Sequence, residues 1–166
     1  NLVDPRIAVD TTNRVLLLTW TSVDSGGTRS VRAAIGSATS IGTLVGSPAT
    51  VGETGEDDFL ARPLYNPSLG EGLVAWTRLT TAPALSVHSR RVDTSDSAGI
   101  AFLGSEEEVS GGSGDEACPT LLVKPSAGES VVMWLKTMAL STANAYADSV
   151  VNGTYRGKEL WIQRFR

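Results

Sequence analysis

Any Ser-His-acid or Cys-His chemistry in this chain would have to use His88, the one histidine. Cys118 is the one cysteine, so neither an internal disulfide nor a multi-cysteine zinc site can form. The strand pattern described below puts Cys118 at the start of an inner strand and His88 on an outer one, so the two are expected to lie far apart. Neither Gly-x-Ser-x-Gly nor His-Glu-x-x-His occurs, and no glycine loop of the phosphate-cradling kind is present. His88 therefore reads as an ordinary strand residue. Paired carboxylates for glycoside chemistry need only proximity in space. A fragment of a hydrolase or lyase thus stays among the alternatives, while the expectation is a non-enzyme without a cofactor.

The carboxylates form the next set. Asp4, Asp57 with Asp58, and Asp115 with Glu116 each stand before the first strand of a unit. Clustered carboxylates could hold Ca²⁺, which takes several oxygen ligands, or attract a basic partner. No Asp-x-Asp-x-Asp-Gly loop accompanies them, and the plainer reading is strand-entry residues that cap turns. Residues 138–157 form an insertion that holds Tyr146, Asp148, Asn152, Tyr155 and Arg156. Aromatic rings stack on sugar faces or on protein partners, and polar neighbours orient a ligand, so these five are candidate binding residues for a protein or carbohydrate. The alternative is a tolerated surface insertion. Asn152-Gly153-Thr154 is also an N-glycosylation sequon. The run Glu106-Glu107-Glu108 reads as a solvated outer edge, where charge discourages edge pairing.

What positions these residues is a repeat. Trp20, Trp76 and Trp134 each close an apolar run, and they are 56 and then 58 residues apart. The second offset also carries Pro67-Ser68-Leu69-Gly70-Glu71 onto Pro125-Ser126-Ala127-Gly128-Glu129, Asp57-Asp58 onto Asp115-Glu116, Gly46-Ser47 onto Gly104-Ser105 and Val51 onto Val109. Several segments sharing one period define units of about 1–55, 56–113 and 114–166. Each unit reads as four strands, placed in the second at 60–66, 72–79, 84–92 and 99–109. The second strand of each is apolar on both faces, as a strand covered on both sides must be. The three tryptophans are then expected between sheets, with Trp161 on a half-buried strand.

Composition sets outer bounds. The 166 residues suffice for one domain with a hydrophobic core, and an apolar share of 41% argues against disorder. Net charge is −4 without a Lys/Arg cluster, so no nucleic-acid partner is expected. No apolar run approaches a membrane span. The start Asn1-Leu2-Val3 suggests a processed or excised product, or a fragment.

A proline-led turn, a glycine ahead of a strand running through valine to tryptophan, and a strand such as Leu160-Trp161-Ile162-Gln163-Arg164-Phe165 resemble the four-stranded repeats of secreted and surface proteins. Those repeats are thought to form β-propeller blades. The resemblance implies an extracellular or cell-surface protein, often adhesive, and names no ligand. WD40 dipeptides, kelch glycine pairs and Asp-box signatures are missing. The expected fold is all-β: part of a β-propeller, about three four-stranded blades with the last incomplete. Propellers have about 4–8 blades. Another chain, or the rest of a longer protein, is then expected to close the fold, and two copies would make a six-bladed ring. The structural alternatives are a β-trefoil and, after it, a β-sandwich. The expected function is a non-enzymatic binding or adhesion module, with a subunit completing a propeller as the alternative.

Overall fold

The computed structural model describes residues 1–40, 42–80, 84–95, 98–110, 115–137 and 158–165. They form three antiparallel sheets. The first is β1 (Leu2–Asp10), β2 (Val15–Val23), β3 (Arg29–Ser37) and β4 (Leu44–Thr50), paired in chain order. The second is β5 (Asp57–Asn66), β6 (Glu71–Thr80) and β7 (Ala84–Asp93), with β8 (Ala101–Phe102) and β9 (Glu107–Glu108) both pairing with β7. The third is β10 (Asp115–Lys124), β11 (Glu129–Thr137) and β12 (Lys158–Phe165). Among the described residues no barrel closes, as a trefoil would require, and no ring of blades closes.

The backbone repeats as closely as the sequence. Among the described residues, all four non-glycine residues with positive φ fall on repeat positions. Asp4, Leu60 and Cys118 have φ of 50°, 56° and 58°, and each sits in a register shift of its sheet's first strand. The bulge bends that strand and adds twist. Arg14, Gly70 and Gly128 share the turn after the first strand, at φ of 56°, 69° and 63°. The turn demands the left-handed region, which costs a side-chain-bearing residue about 1–2 kcal/mol. Glycine avoids that cost but loses more entropy on folding, roughly 0.5–1 kcal/mol. Arg14→Gly should therefore stabilise the chain by roughly 0.5–1 kcal/mol, read as a higher urea midpoint at unchanged slope.

The sheets stack face to face, with the second in the middle. Along β6 the side chains alternate between two interfaces. Val74 and Trp76 join Leu17, Val31, Ala33, Ile35 and Val51 of the first sheet. Leu73 and Ala75 join Val132 and Trp134 of the third. This explains why β6 is apolar on successive residues. Close approach also matters: a methyl group on Gly72 would lie 2.8 Å from Leu17 Cδ2. Turn side chains fasten the stack. Asp10 accepts from the amides of Thr12 and Asn13 and from Thr94 Oγ1 of the second sheet, the last at 2.8 Å. Asn66, at the equivalent place, donates to Ser130 Oγ and the Gly128 carbonyl of the third sheet.

One expected strand is different. The fourth strand of the second unit is not continuous over 99–109 but pairs only at 101–102 and 107–108. Gly104 has φ of 101°, and the chain between the two pairs leaves the ladder. The side chain that this detour delivers inward is Glu106.

Candidate functional site

Strand register assembles a charge cluster between the first two sheets. Asp58 stands opposite Arg78, Arg78 opposite Ser86, and Trp76 opposite His88. Directly opposed residues and those two apart share a face, so all five point toward the first sheet with Trp76. Arg78 forks onto Asp58, with Nε to Oδ1 at 2.7 Å and Nη2 to Oδ2 at 3.0 Å. Its other edge meets Glu106, with Nη1 to Oε1 at 2.5 Å and Nη2 to Oε2 at 3.0 Å. Glu106 Oε2 also accepts from the Glu53 amide, just beyond the first sheet. Gly52 leaves room for this: a side chain there would collide with Asp58 Oδ2.

The expectation of a solvated Glu106 is thus overturned. Its side chain is 11% exposed, because Arg78, His88 and the Glu53 amide inside offer it more than water does at the edge. Glu107 and Glu108 do stand exposed. His88 is likewise more than an ordinary strand residue. Its ring stacks on Trp76 with centroids 5.9 Å apart, Nε2 lies 2.8 Å from Ser86 Oγ, and Nδ1 lies 2.6 Å from Glu106 Oε1. That last contact is within ion-pair distance, although the ring N–H is not aligned on the carboxylate as a hydrogen bond.

Serine, imidazole and carboxylate in this order are the parts of an acid–base relay. Ser86 and His88 are each 7% exposed, and Glu106 divides its oxygens among Arg78, His88 and the Glu53 amide. Burial pushes the Glu106 carboxyl up, but His88 and Arg78 together outweigh it and hold the group below its ordinary value. Burial dominates at Asp58, whose carboxyl is raised despite Arg78. A cleft of about 470 Å³, lined by Glu56, Asp57, Thr80 and Glu108 among others, opens over Arg78 and His88.

The other expected site residues fall as follows. Asp57 is bound by Arg29 of the first sheet, with Nη2 to Oδ2 at 2.6 Å, and Arg29 also lies over the Phe59 ring. Glu116 pairs with Lys136 Nζ at 2.8 Å. Asp4 pairs with Arg6 and with Arg62 of the second sheet. Asp115 opens β10. Asp4, Asp57, Asp58 and Glu116, weighed above as Ca²⁺ ligands or as strand-entry residues, thus each pair with basic side chains. Among the described residues no group of three or more His, Cys, Asp or Glu gathers as metal ligands. Tyr146, Asp148, Asn152, Tyr155 and Arg156 lie outside the described residues. The cluster itself was missed, yet one signal pointed to it. The offset of 58 carries Asp58 and Arg78 onto Glu116 and Lys136, so both halves of an ion pair repeat.

The outer faces of the stack are apolar. On the first sheet, Leu16, Leu18 and Trp20 of β2 are partly exposed, and Leu2, Ile7 and Val9 of β1 are 74%, 61% and 52% exposed. A groove of about 520 Å³ runs there, lined by Leu2, Ile7, Leu18, Trp20, Leu44 and Pro48 among others. On the third sheet, Leu122, Leu135 and Ile162 are 51%, 40% and 53% exposed. Trp76 and Trp134 lie buried between sheets, as expected. Trp161 is 43% exposed beneath Lys136.

Fold and cluster together define an all-β protein of three stacked antiparallel sheets, and no helix among the described residues is long and apolar enough to cross a membrane. No protein family, curated protein or solved structure matches the chain.

Proposed function

We propose that the chain is a non-enzymatic binding module of propeller-type blades, of the extracellular or cell-surface kind, and that its binding is first of all to other sheets. The observation that carries this reading is the match between outer and inner faces. Leu16, Leu18 and Trp20 occupy the repeat positions of Gly72, Val74 and Trp76, and of Ser130, Val132 and Trp134. The latter two sets are covered by a neighbouring sheet. An end unit of a repeat array ordinarily carries a polar outer face. Here both end faces are built like interior ones, and large exposed apolar patches mark interaction sites.

The resemblance of the repeats supports the blade reading and the extracellular setting. The face-to-face order of sheets, each following the last in sequence, supports it as well. An adhesive role would use the sheet ends and the 138–157 insertion, supported by the aromatic and polar residues of that segment. The buried clamp around Arg78 supports rigidity between blades rather than chemistry. Light scattering on the purified chain tests the reading. A defined oligomer is expected, and a chain that stays monomeric at all concentrations would overturn it.

A further inference from the structure

We infer that the partner on the outer faces is a second copy of this chain, seated head to tail, so that the third sheet of each copy covers the first sheet of the other. This rests on the assembly reading above and adds the identity and polarity of the contact. The two interfaces inside the molecule share one asymmetry. The earlier sheet contributes the set Leu17, Thr19 and Thr21, or its equivalents Leu73, Ala75 and Thr77. The later sheet contributes the set ending in Trp76 or Trp134. The first sheet leaves only a tryptophan-type face open, carrying Trp20. Among the described residues the third leaves open only the opposite type, where Val131, Met133 and Leu135 hold the places of Leu73, Ala75 and Thr77.

Laying the third sheet of one copy on the first sheet of another therefore repeats a contact the chain already makes twice. Laying two first sheets together would set Trp20 against Trp20, a pairing found at neither interface. Two copies supply six sheets, within the range of about 4–8 for propellers. The pair then closes with two identical contacts related by a two-fold axis, instead of growing into an open filament.

Ile7→Glu and Ile162→Glu test this, since each residue is more than half exposed and sits on a different outer face. Each variant should keep the unfolding midpoint of a correctly folded chain. Each alone should associate roughly a hundredfold more weakly than the natural chain, because an unpaired charge enters an apolar contact. Mixing the two should give a one-to-one pair held by the one contact that neither substitution touches, tighter than either variant alone and weaker than the natural dimer, since the second contact then carries both glutamates. Val9→Glu and Leu122→Glu repeat the test should either first variant misfold. A dimer that survives Ile162→Glu but not Ile7→Glu would show first sheets pairing together, overturning the head-to-tail contact while leaving the assembly reading intact. A natural chain that is itself monomeric would overturn both.

Discussion

Replacing Arg78 by leucine is expected to cost about 3–5 kcal/mol of folding stability, the usual result of removing one partner from a buried ion pair. Arg78 is 5% exposed and stands between two carboxylates, Asp58 and Glu106. Leucine would leave Asp58 without the Arg78 guanidinium in a site where burial already pushes its carboxyl upward. Glu106 would keep His88 and the Glu53 amide. The pH dependence separates this cause from lost packing. Without Arg78 the Asp58 carboxyl, already raised by burial, would have a folded-state pKa further above its unfolded one. The penalty is then full above that folded value and is relieved as pH falls through it, because protonation removes the buried charge. Urea unfolding of both proteins should show the gap widest near neutral pH and narrower in the carboxylate range. A gap that does not change with pH would mean that the arginine acts by packing alone.

Trp76→Ala should cost a similar amount, about 3–5 kcal/mol, the range for a large aromatic removed from a core. Trp76 is fully buried among residues of the first two sheets and supports the His88 ring. Trp20 stands at the same place in the preceding unit, but on an outer face and partly exposed. Trp20→Ala in a chain held monomeric should cost less than about half as much, because less apolar area returns to water. The comparison holds residue type and repeat position constant and changes only what covers the ring. Equal losses at the two positions would contradict the placement of Trp20 on an open face.

How far the sequence could be read varied from one residue to the next. The tryptophan spacing and the turn ending in Gly70 and Gly128 marked the repeat; the doubly apolar strand marked a sheet covered on both sides at β6, whereas β2 and β11 carry the same pattern with one face uncovered among the described residues. These are local signals, because strand period and turn conformation act within a few residues. Glu106 could not be read this way. Its neighbours are acidic and exposed, and only the broken fourth strand turns it inward to Arg78 and His88. His88 looked solitary for the same reason, since its partners come from Ser86 two residues away, Trp76 on the paired strand and Glu106 beyond β8.

By itself, then, the sequence determined an all-β chain with a repeat and its turns; of the three tryptophans it put between sheets, Trp76 and Trp134 lie there and Trp20 lies on an outer face. Only the tertiary structure decided which carboxylate meets which cation and which apolar faces stay open. Period and turn chemistry are properties of adjacent residues. Charge pairing and coverage depend on which sheet lies across a gap of one side-chain layer, and stacking order and strand register set that.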